Sequence, residues 1–377
     1  MLLTGYQRTL QRLLISCCVF CVLTVYYLLR SEVKVHVRAL QPISAHRLYP
    51  SNWSLIDRTK FDFLLNSDVC SSSSSRRSAV RLLIVVTSHP GHVTLRRAFR
   101  KVLPASLLET HGIRRVFLLA RIDPLQKDYA QINQSTVENE HLSDRDVVQG
   151  DFLESYHHLS YKHIMGLKYA VHYCSQTQWI VKMDDDIAVD IFQLLDYLEN
   201  SVVDTHDGLV IVGAVMNGSE LDPLRRKNSK WDVTYDEYAL EKYPPFVSGW
   251  AYATTVAAAH RIVHYSQSSP FFWIDDVFVT GLLADLSGIQ HVDIRSKLTV
   301  YQDHVKCCIQ QKPRSACRYI IAPVVDAFLL ERFYRHVLKC WLEQCPLSNH
   351  PCVIVNNSPM DLLDVPNITG QVIPIYK

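Results

Sequence analysis

Residues 178–198 read QWIVKMDDDIAVDIFQLLDYL, an apolar run that ends without a break in three carboxylates and then turns helical. Gln178 to Met183 has the length and apolar content of a strand, and Ile191, Leu194, Leu195 and Leu198 recur at the spacing of one helix face behind Asp190. Upstream, VRLLIVVT (80–87) is a second strand-like run, closed by the breaker His89-Pro90-Gly91 and followed by the basic segment LRRAFRKVL from Leu95. A third, RVFLLA (115–120), follows at βαβ spacing, and Ile164, Leu167, Val171 and Cys174 mark another helix face. Continuous apolar strands alternating with amphipathic helices predict an α/β domain whose mostly parallel sheet is covered on both faces. Such sheets bind ligands at the carboxyl ends of their strands, the position of Asp184, Asp185 and Asp186.

Three adjacent carboxylates repel one another, and a hard divalent ion such as Mg²⁺ or Mn²⁺ relieves that repulsion while bridging to substrate phosphates. The plainer reading is an acidic turn that caps the next helix. A second acidic pair, Asp275-Asp276, lies inside the apolar stretch FFWIDDVF (271–278). Apolar surroundings raise a carboxylate's proton affinity, which suits a general base acting on a sugar hydroxyl; the alternative is an N-cap for a helix starting near Val277. Between the two acidic sites, YPPFVSGWAYATT (243–255) supplies prolines, a glycine and aromatic rings, either a sugar-stacking wall or a packed turn.

Farther out, the chain has 39 Lys and Arg against 37 Asp and Glu, a net charge of +2 that gives no general attraction for nucleic acid. Its 48% hydrophobic content excludes a disordered or collagen-like protein. Residues 13–29, LLISCCVFCVLTVYYLL, carry no charge and are barely long enough for a spanning helix, which needs about 20 apolar residues. A cleavable signal peptide competes, but the run ends in Tyr-Tyr-Leu-Leu-Arg rather than in small residues, which favours an anchor. With residues 1–12 as a cytosolic tail and 13–29 as a transmembrane signal-anchor, the rest is luminal, and so short a span suits the thinner membranes of the early secretory pathway. Residues 30–78, closing in SSSSSRRS, read as a stem, residues 79–346 as one catalytic domain and residues 347–377 as a C-terminal tail. Sequons at Asn52, Asn133, Asn217 and Asn367 agree with a luminal chain; a further one at Asn356 is weakened by the nearby Pro359. Outside the anchor stand Cys70, Cys174, Cys307, Cys308, Cys317, Cys340, Cys345 and Cys352, whose pairing spacing does not decide, with a zinc site as the alternative for the C-terminal group.

The order of these motifs resembles the β1,3-galactosyltransferase family, the inverting glycosyltransferases that include β1,3-galactosyl-, β1,3-N-acetylglucosaminyl- and fringe-type enzymes. LRRAFRKVL is similar to the family's arginine segment, with Arg96 and Arg100 at the recurring positions. DVVQGDFLESYHHLSYKHIMGLKYAVHYC (146–174) is similar to its acidic-Phe, Tyr, Leu, Lys helix through Asp151, Tyr156, Leu159 and Lys162. VKMDDD from Val181, Lys230-Trp231, YPPFVSGWAY from Tyr243 and IDDVF from Ile274 follow in the family's order.

The resemblance implies a GT-A type nucleotide-sugar transferase fold with a Rossmann-like sheet, in a type II protein of the Golgi membrane. It implies transfer of a hexose, galactose by preference, from a UDP-sugar to the 3-hydroxyl of a glycan on protein or lipid, with inversion to a β1,3 linkage. It makes Asp186, with Asp184, the holder of Mn²⁺ or Mg²⁺, and Asp276, with Asp275 as the alternative, the base. Arg96, Arg100, Lys182 and Asp185 would bind the donor, and Tyr243, Phe246, Gly249 and Trp250 would form the acceptor or sugar pocket. An N-acetylglucosaminyltransferase and a non-catalytic membrane-anchored lectin are the competing readings. The chain departs from the family at Val247 and at Leu282 or Leu283, where cysteines are common, in one extra residue between Val277 and Gly281, and at Ala322 or Pro323, where a histidine commonly stands near the metal. Either His291 or His304 substitutes for it, or the ion relies on carboxylate, phosphate and water.

Overall fold

A computed structural model describes residues 63–71, 79–122, 132–202, 208–227, 229–324, 326–348 and 352. The chain order is β1 (Phe63–Leu65), β2 (Leu82–Thr87), α1 (Val93–Val102), α2 (Ala105–Thr110), β3 (Ile113–Arg121), α3 (Gln134–Asp144), β4 (Val147–Leu153) and α4 (Leu159–Tyr173). It continues with β5 (Trp179–Asp184), β6 (Ile187–Val189), α5 (Ile191–Tyr197), β7 (Val210–Met216), β8 (Phe246–Thr255) and α6 (Val256–Ser266). A π-helical segment, Val277–Leu283, then leads to β9 (Gln290–Asp293), α7 (Gln302–Gln310), β10 (Ile321–Pro323) and α8 (Ala327–Leu342).

Eight strands form one sheet in the order β1-β4-β3-β2-β5-β8-β7-β9. Its centre, β4-β3-β2-β5, is parallel, and β7 and β9 are parallel at the far edge, while β1, and β8 on both its sides, run antiparallel to their neighbours. Strand β2 shows why these strands read as continuous apolar runs. Leu82, Ile84 and Val86 point into one core with Phe99 of α1 and Phe333 of α8, and Leu83 and Val85 point into the other with Met165 and Leu167 of α4 and Ile262 of α6. Both faces are covered, so successive residues are all apolar, each contributing roughly 1.5–3 kcal/mol of burial.

Two domain limits move. Residues 63–71 were expected in the stem, but Phe63–Leu65 pairs with β4 at the sheet edge and Cys70 is bonded to Cys174 at the end of α4. A three-residue strand carries no period for a sequence to display, and the bridge spans a separation of 104 residues. At the other end Cys352, expected in the tail, is bonded to Cys307. Cys308–Cys317 is the third bridge, so four of the cysteines considered for zinc are bonded in pairs. Among the described residues no helix is long and apolar enough to cross a membrane; residues 1–29, Asn52, Asn356 and Asn367 lie outside them.

Candidate active site

The parallel register sets Thr87 at the end of β2 level with Asp184 at the end of β5, and antiparallel pairing sets Tyr252 of β8 against Lys182 and Ala251 against Met183. Because β8 runs the other way, the residues just before Ala251 lie beside the carboxyl end of β5. Ser248, Gly249 and Trp250 therefore flank the aspartates in a cavity of about 530 Å³. Asp184, Asp185, Asp186, Asp275 and Asp276 all line it, together with Lys182, Tyr243, Phe246, Gly249 and Trp250. Helix α5 is capped by Asp190, whose side chain accepts from the Gln193 amide at 3.0 Å, so the aspartate triplet is not needed as a cap.

The three consecutive aspartates have different surroundings. Asp185 is buried, yet the Ser88 hydroxyl donates to it at 2.6 Å and His92 Nδ1 lies 2.9 Å away, and these partners outweigh burial and hold its carboxyl below the ordinary range. Asp184 accepts from Lys182 Nζ at 2.7 Å, but burial, with the charge of Asp275, lifts it to about 6. Asp186 is lifted to about 7 by burial and by the charges of Asp184 and Asp185. Two carboxylates crowded in this way are a donor set that a hard divalent cation would relieve, so Asp184 and Asp186 fit the expected metal.

On the facing wall Asp276 accepts from the Val277 amide at 2.8 Å and lies 3.4 Å from the Gly249 amide. It serves as the N-cap of the π-helical segment and lines the cavity as well, so the two sequence readings of this residue are compatible. Burial and the charge of its neighbour Asp275 push Asp276 up to about 7. Burial also acts on Asp275, but His163 and Lys182 outweigh it and hold Asp275 below the ordinary range. Lys182 stands between the two acidic sites, 2.7 Å from Asp184 and 3.9 Å from Asp275, and donates to the Gly249 carbonyl. A half-buried acid of near-neutral proton affinity beside one kept ionised is a pattern suited to general base catalysis. Among the described residues, the buried Thr87 Oγ1 and Tyr243 hydroxyl, both on residues lining the cavity, have no hydrogen-bond partner, an arrangement that suits a polar ligand.

Arg96 and Arg100 do not reach this cavity. Arg96 is fully buried, paired with Glu140 at 2.7 Å and donating to Ser88 Oγ and to the carbonyls of His89 and Pro90. Arg100 is spent on Glu140 and Asp146. Their expected donor contact is thus corrected to an internal ion-pair network that shapes the loop after β2; a helix face of arginines reads alike from sequence whether its partners are phosphates or carboxylates. Neither histidine proposed as a metal substitute lines the cavity: His291 Nε2 meets the Thr280 carbonyl at 2.7 Å, and His304 Nδ1 meets Thr299 Oγ1 at 2.6 Å. The histidines that do line it are His89, His92 and His157, which the sequence reading passed over. Their only signal is that His89 and His92 follow the carboxyl end of an apolar strand. Lys162 forms a buried pair with Glu154, and Tyr156 accepts from Trp231 Nε1 at 2.7 Å, while Lys230 Nζ sits 4.5 Å from the Trp231 ring centre.

The family model described as Galactosyltransferase matches residues 95–295. The chain belongs to this family. Beta-1,3-galactosyltransferase 5 of Mus musculus is 30% identical over 223 residues, 58% of this chain and 68% of the relative. Lactosylceramide 1,3-N-acetyl-beta-D-glucosaminyltransferase A of Danio rerio is 26% identical over 300 residues, 74% of this chain and 76% of the relative. The solved structure of a glycosyltransferase involved in glycosylation of the major capsid of PBCV-1 overlays with a TM-score of 0.34 at 10% identity, covering 68% of this chain and 99% of that one. As a member of the galactosyltransferase family the chain is a glycosyltransferase, and its matched segment contains both acidic sites.

Proposed function

We propose that this galactosyltransferase-family enzyme has a GT-A type fold and moves galactose from a UDP-sugar to the 3-hydroxyl of an acceptor glycan on protein or lipid, with inversion to a β1,3 linkage. The observation that carries the reading is the pair of acidic walls on one cavity, Asp184 and Asp186 on one side and Asp276, raised to about 7, on the other. Asp276 takes the proton from the acceptor hydroxyl as its oxygen attacks the anomeric carbon and the bond to UDP breaks. One base and one displacement give inversion. Asp186 and Asp184 would hold Mn²⁺ or Mg²⁺, which when bound supplies charge to offset that gathering on the departing diphosphate. Tyr243, Phe246, Gly249 and Trp250 form the wall on which a sugar ring stacks. The linkage draws support from the 1,3 designation shared by both relatives; galactose rests on the mouse relative and the family description. The uncharged run of residues 13–29 supports a type II anchor in the Golgi membrane, in which case exposed Asn133 and Asn217 would be open to luminal glycosylation.

The test is transfer by the full chain with UDP-galactose and UDP-N-acetylglucosamine, with Mn²⁺ and after chelation, followed by linkage analysis. The base must be unprotonated to work, so transfer is expected to rise as pH climbs through about 7. Asp276→Asn is expected to bind UDP normally while transfer drops by about 10²-fold or more. Preference for UDP-N-acetylglucosamine would replace the donor, and retained transfer in Asp276→Asn would remove the base.

A further inference from the structure

We propose that His163, a residue of α4 that no expectation singled out, is a positioning residue for transfer: backed by Tyr252, its imidazole fixes the Asp275 carboxylate beside Asp276. The inference rests on the reading of Asp276 as the base. His163 is 1% exposed, with Nδ1 2.9 Å from Asp275 Oδ2 and Nε2 2.6 Å from the Tyr252 hydroxyl. Burial lowers the proton affinity of His163 and raises that of Tyr252, so the imidazole is neutral and the phenol keeps its proton. A neutral imidazole has a single N–H and an ionised carboxylate only accepts. The directions follow: Tyr252 O–H donates to Nε2, and Nδ1–H donates to Asp275. Tyr252 thereby completes the tautomer that the ionised Asp275 requires and fixes the plane of the ring, as an outer partner does for a histidine that must present one nitrogen.

The groups facing Asp275 and Asp276 are Lys182 and Asp184 from β5, the Gly249 amide and Tyr252 from β8, His163 from α4, and Tyr156 and Tyr243 from the segments flanking the cavity. Of these, His163 makes the short hydrogen bond to Asp275, whereas Lys182 stands at 3.9 Å and is shared with Asp184. Without the Tyr252 hydroxyl, Nε2 is left without its partner and the ring holds its Nδ1–H less firmly on Asp275. Asp275, also paired with Lys182, stays ionised, but less of its charge is offset by a donor, so the proton affinity of Asp276 rises and its carboxylate is less firmly placed.

The experiment measures kcat and donor KM of the full chain against pH for wild type, Tyr252→Phe, His163→Gln and Asp276→Asn. Expected for Tyr252→Phe and His163→Gln are an acid limb of kcat shifted to higher pH by about one unit, a tenfold change in proton affinity, a plateau kcat lowered about tenfold and an unchanged donor KM. An unshifted acid limb in folded Tyr252→Phe, with Asp276→Asn inactive, overturns the inference alone, since a purely structural histidine lowers activity at every pH alike. Retained transfer in Asp276→Asn overturns the base assignment and this inference with it. Should His163→Gln fail to fold, Tyr252→Phe, which loses one hydroxyl, decides.

Discussion

Gly249 holds its place through contact with Asp276, the proposed base. A Cβ built there would lie 3.3 Å from Asp276 Cβ and 3.7 Å from Asp276 Oδ2, while the Gly249 carbonyl accepts from Lys182. Gly249→Ala is therefore expected to displace the base by a few tenths of an ångström and reduce kcat by about 10- to 100-fold, since reacting groups tolerate little misplacement. Thermal stability should change by about 1 kcal/mol or less. Unaltered kcat in the folded variant would show that Asp276 is not held by this contact. At this scale the sequence was legible where chemistry is unusual: carboxylates at the end of an apolar strand or inside an aromatic stretch have few structural explanations. His163 was illegible because a histidine on a helix face reads the same whether it packs or positions. Only the fold carries β8 alongside it and reveals its two partners.

Helix α1 shows how the same ambiguity acts on a whole element. Its face of Arg96, Ala98, Phe99 and Val102 is buried, so the helix is keyed to the sheet by one guanidinium amid apolar side chains. That guanidinium joins the loop after β2 to α3 through Glu140, and the same loop supplies Ser88 to Asp185. Arg96→Met removes the guanidinium that the Pro90 carbonyl accepts from and leaves Glu140 with Arg100 alone in a buried setting, and is expected to lower stability by about 3 kcal/mol, measured by denaturant unfolding. A donor contact predicts the opposite pattern, a raised donor KM at unchanged stability. The elements that the sequence disclosed, β2, β3, β5, α4 and α5, are those with a strong apolar run or period. Strand β8 reads as an aromatic wall or turn because Pro244 and Pro245 precede it and Gly249 interrupts its pattern, yet its antiparallel run between β5 and β7 is what brings that wall to the aspartates.

For the molecule as a whole, the start of the folded unit is the point at which sequence and structure part most clearly. The serine-rich segment 71–78 separates residues 63–71 from the first strong apolar strand, and low-complexity sequence read as a tether hid the fact that the chain before it returns to the sheet. The Cys70–Cys174 bridge spans 104 residues of sequence, enclosing β2 through α4, which include the aspartate-binding Ser88 and His92 as well as His163. A bridge closing a loop of about 100 residues restricts the unfolded chain by roughly 4–5 kcal/mol in the loop-entropy account. The double variant Cys70→Ala with Cys174→Ala is therefore expected to unfold at a markedly lower temperature than wild type, by up to that amount in free energy. A chain begun at residue 79 loses the bridge and β1 together and should be less stable still, with an unpaired Cys174 and an uncovered edge on β4. Equal melting temperatures for wild type, the double variant and the shortened chain would show that the folded unit begins at the first strong strand after all, and that residues 63–71 are carried by it without contributing to its stability.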